Sequence, residues 1–186
     1  IQKELKALKL ITENPYNQRT LAIIGGGKMD DKLALLKNLS QKVDTIYITG
    51  GNINSIIKSN MESFVKEISS NKASIILMED GLAANNLNDF PILKDTQHLS
   101  RDGSECFFDI GLKSLTTLQN LIKSHSIIFW NGTLGVVEDE KYSSGSTLCV
   151  KMLSESKINN PNQKIIIGGG DTGGFVEKFN HNFTHL

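Results

Sequence analysis

Two cysteines, Cys106 and Cys149, are all that the 186 residues contain. They lie far apart, with no His or Cys at metal-ligand spacing, so neither a disulfide scaffold nor a zinc site is expected and a buried thiol is the default for both. Net charge is missing as well, because 20 Lys and Arg balance 20 Asp and Glu. With no global field, neither nucleic acid nor an anionic membrane is an expected partner, and any polyanion has to be held by a local site. Long apolar runs are absent. Stretches such as "SIIFW" at 126–130 are far too short to span a bilayer. The chain opens on Ile1 and shows no signal-peptide pattern, so the expectation is a piece of a longer protein. No low-complexity linker divides it, and residues 1–186 read as one domain.

What is present is a rhythm. Runs rich in Ile, Leu and Val at 21–24, 45–49, 74–78, 126–130 and 164–167 read as strands, and none alternates, which predicts burial on both faces. Between them, residues 28–39 place Met29, Leu33, Leu36 and Leu39 on one helical stripe, and residues 112–123 do the same with Leu115, Leu118 and Ile122. Less regular helices are expected over 52–70, 141–155 and 173–180. Strand and helix in alternation imply right-handed crossovers and an α/β fold, a Rossmann-like three-layer sandwich with a mostly parallel central sheet. Segment 80–111 breaks the rhythm, being rich in Asn, Asp and Ser, and is read as room for an antiparallel excursion.

Two strands end alike. Residues 21–32, "LAIIGGGKMDDK", and 164–174, "KIIIGGGDTGG", each run into a glycine triplet, and "YITGGN" adds Gly50 and Gly51 at a third strand end. In an open α/β sheet ligands bind outside the carboxyl ends of the strands, where glycines uncover backbone amides and a helix start favours anions. One such pair is read equally well as a tight turn. Three in one sheet favour a ligand. Neither triplet matches the dinucleotide fingerprint or the Walker phosphate loop. The charges behind the triplets are opposite. Lys28 and Lys32, four apart, are expected on one face of the first helical turns, suited to a phosphate chain. Asp171, followed by Thr172, is suited either to capping a helix or to holding a hydrated magnesium ion.

With "FWNGTLGVVEDE" at 129–140, these segments together resemble the phosphoglycerate kinase family over nearly the whole chain, but only its carboxyl-terminal, nucleotide-binding half. The resemblance implies a kinase of glycolysis that moves phosphoryl between ATP and the carboxylate of 3-phosphoglycerate, with ATP or ADP and Mg2+ as cofactors. It implies Lys32 at the transferring phosphoryl group with Lys28 beside it, and Gly26 and Gly27 next to the nucleotide. It further implies Gly50 and Gly51 against adenine and Gly111 of "FDIGL" near the purine. Asn131, Val136 and Glu138 would form the nucleoside pocket, Glu138 accepting from ribose hydroxyls. Gly169 and Gly170 would flank the phosphates, with Asp171 and Thr172 as magnesium and phosphate contacts.

The sequence also departs from the family. Gly27 stands for a usual alanine, Thr49 for a glycine, Thr133 and Leu112 for prolines, and Val137 for phenylalanine. Asn52 and Asn54 occupy positions the family keeps apolar, and the segment between Asn60 and Met61 is shortened. Arg19 and Arg101 are the only arginines, so the basic patch that binds 3-phosphoglycerate is expected in a missing amino-terminal domain. The sequence likewise ends, at "FTHL", before a further glycine-rich turn of the family. The fragment alone is therefore expected not to turn over. Family resemblance points to a cytoplasmic monomer, an organelle remaining open. The competing reading is a catalytically inactive relict that serves as a structural or interaction module. Trp130 is read as core or pocket wall. Ser146 and Thr147 are read as helix-lining groups, and the four histidines as unclustered.

Overall fold

The computed structural model describes residues 9, 11, 13, 18–59, 61–179 and 183–185. The five apolar runs become β1 (Thr20–Ile24), β2 (Thr45–Ile48), β3 (Ser74–Leu77), β7 (Ile127–Asn131) and β8 (Lys164–Gly168), within a residue of their expected bounds. A two-residue β9 (Thr184–His185) completes a six-stranded sheet in the order β3-β2-β1-β7-β8-β9, parallel at every pairing. The middle strands β1, β2 and β7 are buried at every residue, which is why they show no polar alternation.

The helices whose bounds lie among the described residues are α1 (Leu33–Ser40), α2 (Asn52–Lys58), α3 (Glu62–Ser69), α4 (Leu112–Ser124), α5 (Ser144–Asn159) and α6 (Gly170–Glu177). From β1 the chain steps outward through β2 to β3, and from β7 it steps the opposite way through β8 to β9. Right-handed crossovers then put α1 to α3 on one face and α5 and α6 on the other. The packing agrees, for α1 lies on α3 and α4 on α5. The α4 stripe behaves as its spacing predicts, with Leu115, Leu118 and Ile122 buried. Core side chains such as Ile23, Leu36, Trp130 and Leu153 join both layers through the sheet.

The helices expected over 141–155 and 173–180 are shifted, to Ser144–Asn159 and Gly170–Glu177, and two others differ in kind. Helical structure after the first triplet begins with a 3-10 turn at Asp30–Lys32, tightened by Lys32 N–H donating to Met29 O at 2.8 Å, and α1 starts only at Leu33. Lys28 is therefore in the loop and not on a helix face. Gly26, with φ +101°, keeps the triplet out of helical geometry, and buried Met29 anchors the 3-10 turn beyond it. The single helix expected over 52–70 is two, broken at Ser59, whose backbone leaves helical geometry. The break lets α3 turn Ile68 into the core. Residue 60, like residue 180 of the last expected helix, lies outside the described residues.

Segment 80–111 does form an antiparallel sheet. Its strands are β4 (Asp80–Ala84), β5 (Ile92–Asp95) and β6 (Cys106–Ile110), ordered β5-β4-β6. The buried thiol expected of both cysteines holds for Cys149, whose thiol is pushed up by desolvation, but not for Cys106, which is only partly buried because the end of its strand opens onto a cleft. His125 is a satisfied core histidine. It lies 2.7 Å from Leu121 O and 2.9 Å from Thr45 Oγ1, and burial lowers its pKa. His181 lies outside the described residues. Among those described, no helix is long and apolar enough to cross a membrane.

Candidate functional site

The sheet order reverses direction between β1 and β7, and a crevice outside the strand ends is expected at such a point. A cleft of about 690 Å³ lies there. Its floor is a crossing of two loops. Gly25 N–H donates to Asn131 O at 2.9 Å and Gly26 N–H to Thr133 O at 2.8 Å. The crossing is so close that a Cβ on Gly25 would fall within the carbonyl of Thr133. Gly26 comes next with φ +101°, and Gly27 has open space where a side chain would stand. The second triplet repeats this division. A Cβ on Gly168 would sit 2.6 Å from the Phe129 ring, Gly169 has φ +88°, and Gly170 faces open space. In each triplet the first glycine serves packing and the other two face the cleft.

Charge is distributed around this crossing. Exposed Lys28 and half-buried Lys32 line one side together with Asp31. The Lys32 ammonium donates to Asn131 Oδ1, so a β1-side cation is steered by the end of β7. On the other side α6 begins with no side chain capping it, which leaves its first N–H groups available to an anion. Asp171, its second residue, is exposed and in no ion pair among the described residues. Thr172 is 1% exposed, and its Oγ1 accepts from Gly132 N–H at 2.8 Å, bracing α6 against the β7 loop. No group of three His, Cys, Asp or Glu side chains suited to a metal occurs among the described residues. A single exposed carboxylate at an uncapped helix start fits magnesium, which keeps several waters and takes most other ligands from phosphates.

The far end of the cleft is built differently. Gly51, Asn54, Cys106, Phe107, Phe108, Val136 and Glu138 line it. Asn54 forms a two-way pair with the Phe107 backbone, donating to its O at 2.9 Å and accepting from its N–H at 2.8 Å. Val136 N–H donates to Phe108 O at 2.9 Å, and the Phe108 ring leans on Tyr142 with centroids 5.2 Å apart. Asp109, 1% exposed, accepts from Ile110 N–H and from Gly145 N–H, each at 2.9 Å. Burial pushes its carboxyl up to about 6. Asn52 is buried at the start of α2 and donates to Gly25 O at 2.8 Å, tying α2 to the first triplet.

Of the expected site residues, Gly26, Gly27, Lys28, Lys32, Gly51, Asn131, Val136, Glu138, Gly169, Gly170, Asp171 and Thr172 line one cleft. Gly50 does not; it is buried behind the crossing with φ +66°. Gly111 does not either. It is the N-cap residue of α4, and only a glycine leaves room there for the Asp80 carboxylate, which accepts from Ser114 N–H at 2.8 Å. Sequence reasoning misses Cys106, Phe107 and Phe108, which arrive through the antiparallel excursion and carry no ligand-like signal. Trp130 is core, its indole N–H donating to Gly132 O at 2.8 Å. Ser146 lines α5 and accepts from Leu134 N–H at 2.9 Å.

Comparison with known proteins gives a consistent result. A family model described as phosphoglycerate kinase matches residues 1–186. The phosphoglycerate kinase of Clostridium botulinum is 32% identical over 97% of this chain and 50% of its own length. That of Coprothermobacter proteolyticus is 30% identical over the same shares. The structure of phosphoglycerate kinase from Coxiella burnetii superposes with a TM-score of 0.80 at 27% identity, covering 99% of this chain and 51% of that one. The chain spans about half the length of the curated relatives it matches.

Proposed function

The chain belongs to the phosphoglycerate kinase family, and from that premise we propose that its cleft is the ATP/ADP site of a kinase transferring phosphoryl to and from the carboxylate of 3-phosphoglycerate in glycolysis. The observation that carries this is the meeting, at one strand reversal, of Lys28 and Lys32 on one side with Asp171 and an uncapped helix start on the other. Phosphates occupy the glycine-lined end, where open backbone at Gly27 and Gly170 permits close approach. The nucleoside occupies the end built by Gly51, Phe108 and Val136, with Glu138 accepting from ribose hydroxyls.

In phosphoryl transfer the carboxylate oxygen of the acceptor forms a bond to the γ-phosphorus as the bond to the ADP oxygen breaks. The protein contributes position and charge neutralisation. Lys32, steered by Asn131, stabilises the equatorial oxygens as charge spreads over them. Lys28, in the loop after the first glycine triplet, neutralises the phosphate chain. Asp171 is the residue that would hold a magnesium ion, which would supply neutralisation of the charge on the nucleotide phosphates. The acceptor comes from a second half of the enzyme, as the twofold length of the relatives supports. The working unit is a monomer in the cytoplasm. A second reading, a catalytically inactive relict of this fold serving as a structural or interaction module, draws on the departures from the family at Thr49, Leu112, Thr133 and Val137.

Calorimetric titration with ADP, with and without magnesium, tests the site. Saturable binding is expected, weakened about tenfold or more by Lys32→Ala, with the magnesium dependence lost in Asp171→Ala. A folded chain that takes up no ADP overturns the nucleotide reading.

A further inference from the structure

The nucleoside end of the cleft has a construction problem. Its β6 wall belongs to the antiparallel sheet, whose ladder runs from β6 to β4 and from β4 to β5. Among the described residues no ladder bond of the central sheet fixes the distance between β6 and the helix that faces it. Side chains have to set it.

We infer that Asn54 is a positioning residue that sets the width of the nucleoside end by tying β6 to α2, with Asp109 holding the other end of the same strand. The inference rests on the nucleotide reading above. Asn54 projects from the first turn of α2 and offers Phe107 one donor and one acceptor, as a neighbouring strand would. One N–H and the oxygen of its amide engage that backbone, so β6 fixes the orientation of the side chain. Two residues earlier, Asn52 points to a different side of the helix and holds Gly25 O. Together the two amides bolt α2 between the glycine loop and β6.

The opposite end of the strand is tied by one main-chain bond and one carboxylate. Val136 N–H holds Phe108 O, and the Asp109 carboxylate holds Gly145 N–H at the start of α5. The loop carrying Val136 and Glu138 rests on this carboxylate, since Gly135 packs so close to Asp109 that a Cβ would not fit. β6 is thus a strut between two walls, and an apolar residue at position 54 fills space without carrying the tie. The departure from the family at Asn54 is then a change in how the wall is held rather than a change in what touches the base.

The test separates the two ends of the cleft with two probes. Adenosine reports the nucleoside end and tripolyphosphate the glycine end, each titrated into the wild-type chain, Asn54→Leu and Asp109→Asn, with ADP alongside. Asn54→Leu is expected to weaken adenosine and ADP about tenfold while tripolyphosphate stays within about twofold of wild type. Asp109→Asn shifts the same two ligands in the same direction. Retained tripolyphosphate binding shows that each variant is folded. Unchanged adenosine affinity in Asn54→Leu overturns the inference, as does an equal loss for both probes, which marks Asn54 as merely structural. If the wild-type chain binds no ADP, the nucleotide reading falls and takes this inference with it, a result distinct from the other two.

Discussion

The two ends of the cleft are assembled by opposite means. At the glycine end backbone meets backbone, and the crossing of the β1 and β7 loops exists because Gly25 has no side chain. At the β6 end side chains hold backbone, through Asn54 on Phe107 and Asp109 on Gly145. The first end therefore fails when atoms are added, the second when they are removed or their charge changes. A close crossing holds its two loops rigidly, while side-chain ties leave the spacing of the walls open to sequence drift.

Substitutions at both ends probe that contrast. Gly25→Ala should be the most severe, because its methyl group meets main-chain atoms that cannot rotate away. A loss of about 4 kcal/mol or more, or failure to fold, is expected in chemical denaturation. Asp109 comes next. Its carboxyl is pushed up to about 6 in the folded chain, above an unfolded value of about 3.9. The folded state therefore prefers the protonated form, and the corresponding stability is full below about pH 4 and lost as pH rises through about 6. The loss is about 3 kcal/mol by linkage, and Asp109→Asn should remove this dependence when denaturation is compared at several pH values. Gly168→Ala should be milder, about 1–3 kcal/mol, since the obstacle is the edge of the Phe129 ring and a side chain can yield. Gly27→Ala and Gly170→Ala should change stability by less than about 0.5 kcal/mol, their surroundings being open. A large cost at Gly27 would break the division of labour within the triplets.

The same contrast explains what can be read from the chain itself. The buried strands and the α4 stripe are visible because periodicity reports burial directly. The glycine end is visible because triplets after apolar runs, followed by charge, are rare in sequence and local. Spacing puts Lys28 on a helix, since four-residue intervals are legible while the 3-10 turn at Asp30–Lys32 is not. The β6 end is opaque. Cys106, Phe107 and Phe108 are ordinary strand residues, and only the return of the antiparallel sheet to α2 gives them a place in the cleft. Gly111, read toward the purine from family resemblance, serves a cap made by Asp80, a partner 31 positions away that no local pattern marks. Asn54 stands out in the sequence as a departure, but its tie to Phe107 is a tertiary fact.

The pairing of β1 with β7, Thr20 opposite Ile127, also has a consequence in time. About a hundred residues separate the two strands, and at ribosomal speed that is a wait of roughly 5–20 s. Through that interval β1 can pair with β2 but presents its other edge, an apolar ladder of open donors and acceptors, to whatever the nascent chain meets. The strand that completes the cleft is the one that retires this edge, so a ribosome that stalls before Asn131 releases a sticky intermediate rather than a weaker binder.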